Sequence, residues 1–228
     1  MATHKNTKQH TISKLFAIAL LLALAPLSIS TANGWSDDDN NHHHPSPSPP
    51  LEGVNKYEYK VGDRGPGGGF IFFVDHYDQY RGFTYLEAAP TDIAPVVWCD
   101  KSTTSVPAVA GLVANAVGKG QANTTAMLGI CASGAANAAD SYLTATKSDW
   151  FLPSEGELML MYTNLLQTGV GGFAYANYLD VGGFPYANYW SSSEFDSNLA
   201  RFQLFFNGYQ YYSTSKGNAL PVRAVRAF

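Results

Sequence analysis

Glu155 and Glu157 stand two residues apart, and so do Glu194 and Asp196. Two carboxyl groups flanking one bond can divide general-acid and general-base work, the chemistry of glycoside hydrolysis. The first pair has a competing explanation. In "PSEGELMLMY", Ser154 and Glu157 have capping-box spacing, and acids in an opening helical turn stabilise the macrodipole. The six histidines lie at 4, 10, 42–44 and 76, so a Ser-His-Asp triad would have to use His76, and no nucleophile-elbow sequence accompanies it. His42, His43 and His44 beside Asp37, Asp38 and Asp39 are consecutive residues in a polar tract, without the fixed spacing of a dedicated metal site. "VGDRGPGGG" has the glycines of a phosphate loop, but no Lys-Ser/Thr follows and the next segment reads as a strand. The expectation is therefore a protein that is not an enzyme and takes no cofactor or metal.

The address of the chain is written at its start. Lys5, Lys8 and Lys14 precede the apolar run from Leu15 to Leu27, and Ser30 and Ala32 supply small residues at the −3 and −1 positions of a cleavage site. The run is too short to span a bilayer as a helix. Residues 1–32 read as a signal peptide, and the expected location is secreted or cell-surface. Removing them leaves 11 Lys and Arg against 18 Asp and Glu, a net charge of −7. That balance excludes the basic footprint a nucleic-acid partner requires. In an oxidising compartment Cys99 and Cys131, the chain's two cysteines, are most simply a disulfide.

Residues 33–50, "NGWSDDDNNHHHPSPSPP", read as a Pro/Ser spacer, and 51–228 as one folded domain. "GFIFFVD" (69–75) and "GFTYLEAAP" (82–90) read as strands. Two helices follow: an Ala-rich one starting at an Asn123 cap, and one opening at Ser154 with Leu158, Met161, Tyr162 and Leu165 on one face. "VGGFAYANY" (170–178) recurs as "VGGFPYANY" (181–189), a single tandem duplication that suits a surface loop. "YWSSSEF", the run 199–215 and "PVRAVRAF" end the chain as strands. Strands, then helices, then strands again give the class α+β.

Several stretches together resemble one family: "GDRGPGGGFIFFVD", "LEAAP", "GKGQANT", "DWFLPSEGEL", "YWSSSE" and "VRAVRAF". They are similar, in this order, to a widespread bacterial domain family of formerly unknown function, related to the C-terminal domain of a collagen-like adhesin. The resemblance covers roughly 57–228, and Trp150, Pro153, Glu157 and Trp190 lie in its most specific parts. It implies a C-type-lectin-like fold, akin to that of the formylglycine-generating enzyme, with mixed or antiparallel strands and termini close together. The sugar-and-calcium motifs Glu-Pro-Asn and Trp-Asn-Asp are absent, and the enzyme's paired active cysteines have no equivalent, so the resemblance carries over neither calcium nor catalysis. It also points to a third function class, a structural domain that forms a homo-oligomer.

The run "LARFQLFFNGYQYYSTS" (199–215) departs most from that family, which often has Trp where Arg201 stands and Asn- or Ser-rich sequence around it. Asn207-Gly208 reads as a two-residue hairpin turn. Phe206 then faces Tyr209, Leu204 faces Tyr211 and Phe202 faces Ser213 on one side, with Gln203, Phe205, Gln210 and Tyr212 on the other. Gln203, Phe205, Gly208, Gln210 and Lys216 match the family, so the glutamine side is the scaffold. Phe202, Leu204, Phe206, Tyr209 and Tyr211 then face outward as a patch of several hundred Å², the size that marks an interaction site. The expected partner is a protein or carbohydrate ligand.

One further pattern concerns residue types. Between Phe195 and Val222, every residue except Gln203, Gln210 and Lys216 is a type reached from an Asn codon by changing its adenines alone. Diversity-generating retroelements leave that mark on their target genes, and lectin-like domains resembling this one are frequent targets. The DNA flanking the gene is expected to carry a template repeat differing from codons 195–222 only at adenines, together with a reverse-transcriptase gene. Sequencing the locus checks this, and the absence of both removes the retroelement reading.

Overall fold

The glycines of "GDRGPGGGF" bend around a carboxylate that the chain itself supplies. The computed structural model describes residues 58–173, 188–205 and 207–228, with the backbone alone at Tyr211 and Tyr212. In it the amides of Gly67 and Gly69 donate to Glu87 Oε1 at 3.0 and 2.7 Å. A Cβ at Gly69 would stand 1.9 Å from the Ala88 carbonyl oxygen, an approach that only glycine permits. The signal peptide and spacer expected over 1–50 lie outside the described residues, which belong to one unit, Gly53–Phe228. No helix among the described residues is long and apolar enough to cross a membrane.

The class is α+β. The elements run β1 (Phe70–Val74), β2 (Tyr85–Ala88), β3 (Ile93–Val96), α1 (Leu112–Asn115), α2 (Gly120–Leu128), α3 (Ala135–Asp140) and α4 (Glu155–Met161). Then come β4 (Asn188–Glu194), β5 (Leu199–Leu204), β6 (Gln210–Ser215), β7 (Leu220–Val222) and β8 (Val225–Ala227). The strands form three antiparallel sheets, ordered β1-β2-β8, β3-β7 and β4-β5-β6. β2 pairs with β1 and β8 at its two edges and is buried at all four residues, Leu86 and Ala88 in one apolar cluster, Tyr85 in another and Glu87 under the glycine loop. The start and end of the unit therefore meet, and the Tyr59 ring lies edge-on to Phe228.

Among the described residues, four short α-helices stand where the sequence predicted two. Asn123 caps nothing: α2 begins at Gly120, and the Asn123 amide donates to the Ala114 carbonyl at 2.7 Å and to Ser192 Oγ at 3.1 Å. The Ala-rich stretch then breaks after Gly129, for two reasons. Cys131 is drawn to Cys99 in the disulfide, with the Cα atoms 5.4 Å apart. Gly134, at φ +138°, presses on the Trp98 carbonyl so closely that a Cβ would lie 2.6 Å from its oxygen. By the chain-entropy argument the disulfide contributes about 3 kcal/mol. The second helix keeps its predicted start. Ser154 Oγ accepts from the Glu157 amide while Glu157 Oε2 accepts from the Ser154 amide, a complete capping box. Leu158, Met161 and Leu165 are fully buried, and Tyr162 opens a π-helical turn, Tyr162–Leu166, at half burial.

Two apolar clusters flank β4. One gathers Trp98, Trp150, Trp190, Met127 and the disulfide; the other gathers Phe72, Leu86, Leu158, Leu165, Tyr189 and Phe205. Arg223, itself buried, ties β4 to the segment that precedes it. It donates to the carbonyls of Ala89 and Gly171 at 3.0 and 2.9 Å, stacks over the Phe173 ring, and pairs with Asp92, which accepts the Tyr189 hydroxyl at 2.8 Å. Burial and the neighbouring Asp92 charge push the Tyr189 phenol well above its ordinary range.

These anchors bear on the duplication, whose interior, 174–187, lies outside the described residues. Gly171 and Phe173 come from the first copy and Tyr189 from the second, and the two rings sit 5.9 Å apart. Among the described residues, these contacts are ones that a single copy would also supply. Deleting residues 174–184 joins Phe173 to Pro185 and leaves a single "VGGFPYANY". The shortened chain is expected to fold and to gain on the order of 1 kcal/mol from the smaller closure entropy. Thermal melting checks this: a lost or non-cooperative transition would show that the body needs both copies.

Candidate functional site

The sheet β4-β5-β6 has one side against α4 and one side beside β7. Gln203 is fully buried on the α4 side, its amide reaching Met159 Sδ at 3.6 Å and the Gly208 carbonyl at 3.4 Å. The Gln210 amide donates to the Glu155 carbonyl at 3.2 Å and lies 3.4 Å from Gln203 Oε1. Phe205 is buried among Tyr162, Phe173 and Tyr189. Arg201 also turns to this side. Its guanidinium pairs with Glu155 at 3.5 Å and lies 5.3 Å from the half-exposed Phe195 ring.

The turn is longer than predicted. Phe202 pairs with Tyr211 and Gln203 with Gln210, and the Leu204 amide donates to the Tyr209 carbonyl. The loop is therefore Phe205 to Gly208, closed by the Gly208 amide on the Leu204 carbonyl at 2.9 Å. A two-residue type I′ turn needs positive φ at both central residues, but only Gly208 has it, at +76°. A Cβ on Gly208 would lie 2.4 Å from the Tyr162 ring, and Asn207 Oδ1 instead accepts the Tyr209 amide. The predicted facings of Phe202 with Ser213 and Leu204 with Tyr211 are thus displaced by two residues. A shift of two preserves sidedness, so Phe202 and Leu204 still oppose Gln203 and Phe205.

Of the five residues expected to face outward on that second side, three have described side chains, and they differ in exposure. Tyr209 is 66% exposed, but Phe202 and Leu204 are half-buried, and Phe202 packs edge-on to Trp190 against the first cluster. Ser213 is half-buried at the bulge where two β6 residues oppose Arg201. Phe206 and the side chains of Tyr211 and Tyr212 lie outside the described residues. Where Phe202 meets β7, a concave site of about 260 Å³ opens, lined by Asn188, Phe202, Thr214, Asn218, Ala219 and Leu220. The β6 bulge places Thr214 opposite Ala200 and so on the Phe202 side. Asn218 donates to Thr214 Oγ1 at 2.6 Å. Asn188 Oδ1 is buried and accepts no hydrogen bond from the described residues.

Of the residues expected to bind, the cavity uses Phe202. Asn188, Thr214, Asn218, Ala219 and Leu220 escaped sequence reasoning. All but Asn188 lie within the adenine-reachable window 195–222, which was the signal available for them. The residues expected to be structural hold the frame. Trp150 and Trp190 are buried with their indole N–H groups on the Lys147 and Val96 carbonyls, and the buried Pro153 accepts the Ser192 amide at 2.7 Å.

Of the carboxylates considered for catalysis, Glu155 pairs with Arg201 and the other three accept from backbone amides. Glu157 is completely buried and accepts from the amides of Gly118, Gly120 and Ser154 at 2.8, 3.2 and 2.9 Å. Glu194 accepts from the Val106 amide and Ser105 hydroxyl and pairs with the buried Lys216, which also donates to the Thr104 and Ser197 carbonyls. Asp196 is exposed in a turn, accepting the Asn198 and Leu199 amides, and His76 is exposed. The sequence matches no protein-family model and no curated protein.

Burial drives the Glu157 carboxyl up to about 7, although the backbone amides of Ser154, Gly120, Gly118 and Lys119 pull it back down. Glu155 is raised for the same reason, against the pull of Arg201. An acid whose folded pKa exceeds its unfolded one stabilises most below the unfolded value, and that contribution is lost as pH rises through the folded one. Stability is therefore expected to fall by about 3 kcal/mol between roughly pH 4.5 and 7 through Glu157. Asp149, held low by Arg226, acts the other way and only below its ordinary pKa, so it leaves this window flat. Glu157→Gln should remove most of the slope in denaturant melts taken between pH 5 and 8. An unchanged slope would rule Glu157 out as its source.

Proposed function

We propose that this chain is an exported ligand-binding module, receptor- or adhesin-like, whose recognition face is the outer side of the C-terminal hairpin. The observation that carries it is the two-sidedness of β5 and β6. Gln203, Gln210, Phe205 and Arg201 tie the hairpin to α4, while Phe202 and Thr214 open on a cavity and Tyr209 stands exposed beside them. A concave site with apolar walls and a few polar groups is the usual form of a small-ligand site. The antiparallel sheets, the meeting of chain ends at β1, β2 and β8, and the disulfide support a C-type-lectin-like fold. They do so beside the resemblance of 57–228 to the bacterial adhesin-related family.

The retroelement reading draws support from the same asymmetry. Gln203, Gln210 and Lys216, the three residues whose types adenine changes do not reach, all hydrogen-bond into the body. A scaffold fixed at these positions tolerates varied side chains on the other side, as antibody loops tolerate theirs. Against an enzyme stands the occupation of Glu157 and Glu194 by backbone donors.

Tyr209→Ser tests the face. The variant is expected to melt as the wild type does and to lose about tenfold or more in binding to polysaccharide- and cell-surface arrays, with its mass by light scattering unchanged. If the substitution dissociates an oligomer, the face is a subunit interface and the structural reading replaces this one. If neither binding nor mass changes, the face is not used.

A further inference from the structure

We infer that the cavity beside Phe202 takes an uncharged sugar ring. This rests on the reading of the hairpin's outer side as a ligand face and names the ligand class. None of the six lining residues carries charge: the walls are two amides, one hydroxyl, one aromatic ring and two aliphatic side chains. A charged ligand entering such a cleft would lose hydration without gaining an ion pair. A purely apolar ligand would cover the Asn218 amide and Thr214 hydroxyl without offering them hydrogen bonds, at the cost of their desolvation. A pyranose answers both demands. Its hydroxyl groups exchange hydrogen bonds with the Asn218 amide and Thr214 hydroxyl. Its C–H face packs on Phe202 and Leu220. The volume, about 260 Å³, is on the scale of one ring with its substituents and small for a peptide segment.

The Asn218–Thr214 bond orients both groups before the ligand arrives, as positioned polar groups in binding sites require. Thr214 and Asn218 stand on β6 and the turn that follows it, and Asn188 begins β4, so strands two places apart in the sheet converge on one ring. The acidic balance of the mature chain argues separately against anionic glycans, which favour basic sites.

The test uses the full chain and saturation-transfer NMR with glucose, galactose, mannose and N-acetylglucosamine, and with glucuronic and sialic acids as charged comparators. At least one neutral sugar should show transfer, with the charged sugars weaker. Asn218→Ala, at an exposed turn, should lower that affinity about tenfold while the circular dichroism and melting temperature stay those of the wild type. Asn188→Ala should do the same, and Asn218→Ala decides alone if Asn188→Ala does not fold. Transfer to no neutral sugar, stronger transfer to the acids, or affinities untouched by Asn218→Ala would each overturn the inference. If array binding sensitive to Tyr209→Ser persists while no neutral sugar competes with it, the ligand face stands and the sugar assignment falls.

Discussion

Buried carboxylates have to be fed with hydrogen bonds, and much of the irregular backbone of this domain is arranged to feed them. Glu87 takes the amides of Gly67 and Gly69 and a guanidinium nitrogen of Arg226. Glu157 takes those of Gly118, Gly120 and Ser154, and Glu194 takes Val106 and Ser105 with Lys216. Each acid sits on a strand or helix, and apart from Ser154, three residues from Glu157, each donor lies far from its acid in sequence. An unpaired buried carboxylate costs several kcal/mol, so a loop that strays from its acid exposes the structure to that cost. The result is a domain that keeps long non-repetitive segments in place with short helices and small sheets. The glycines that resemble a nucleotide loop serve the same end, since close backbone approach to an anion needs them whether the anion is a phosphate or a glutamate.

This arrangement separates scaffold from surface along the C-terminal hairpin. On the α4 side, polar side chains bond backbone: Gln210 to Glu155 and Gln203 to Gly208. Lys216, just past β6, is locked by Glu194 and two carbonyls. The β5–β6 register and the position of the turn follow from those contacts and from the fit of Gly208 against Tyr162. Side chains on the other side, Phe202 and Thr214 among them, line the cavity instead. Phe202 is the compromise, half in the Trp190 cluster and half in the cavity wall.

Which features were legible follows from their range. The capping box, the first two strands, the disulfide pair and the sides of the hairpin depend on near neighbours or on a count of two, and the structure has them. The helix expected from Asn123 onward failed because its interruption is imposed from outside, by Trp98 pressing on Gly134 and Cys99 holding Cys131. The two-residue turn failed because Tyr162, more than forty positions away, decides which residue can sit at the corner. The cavity was invisible for the same reason: Asn188, Thr214 and Leu220 share no local pattern and meet only when β4, β6 and β7 pack.

The division of polar groups bears on what kind of function such a domain can hold. General acid–base chemistry needs a carboxyl or imidazole that is reachable and has spare hydrogen-bonding capacity. Glu87, Glu157 and Glu194 have spent theirs on backbone amides and on Arg226 or Lys216, and the raised pKa of Glu157 arises from burial beneath those amides rather than in a cleft. Polar groups at the cavity are amides and a hydroxyl, which direct hydrogen bonds without moving protons at neutral pH. The proposed binding draws on such groups. On that reading, a frame whose charges are consumed internally can change its outer residues with little disturbance, Phe202 and Leu220 excepted, since both also pack in the core.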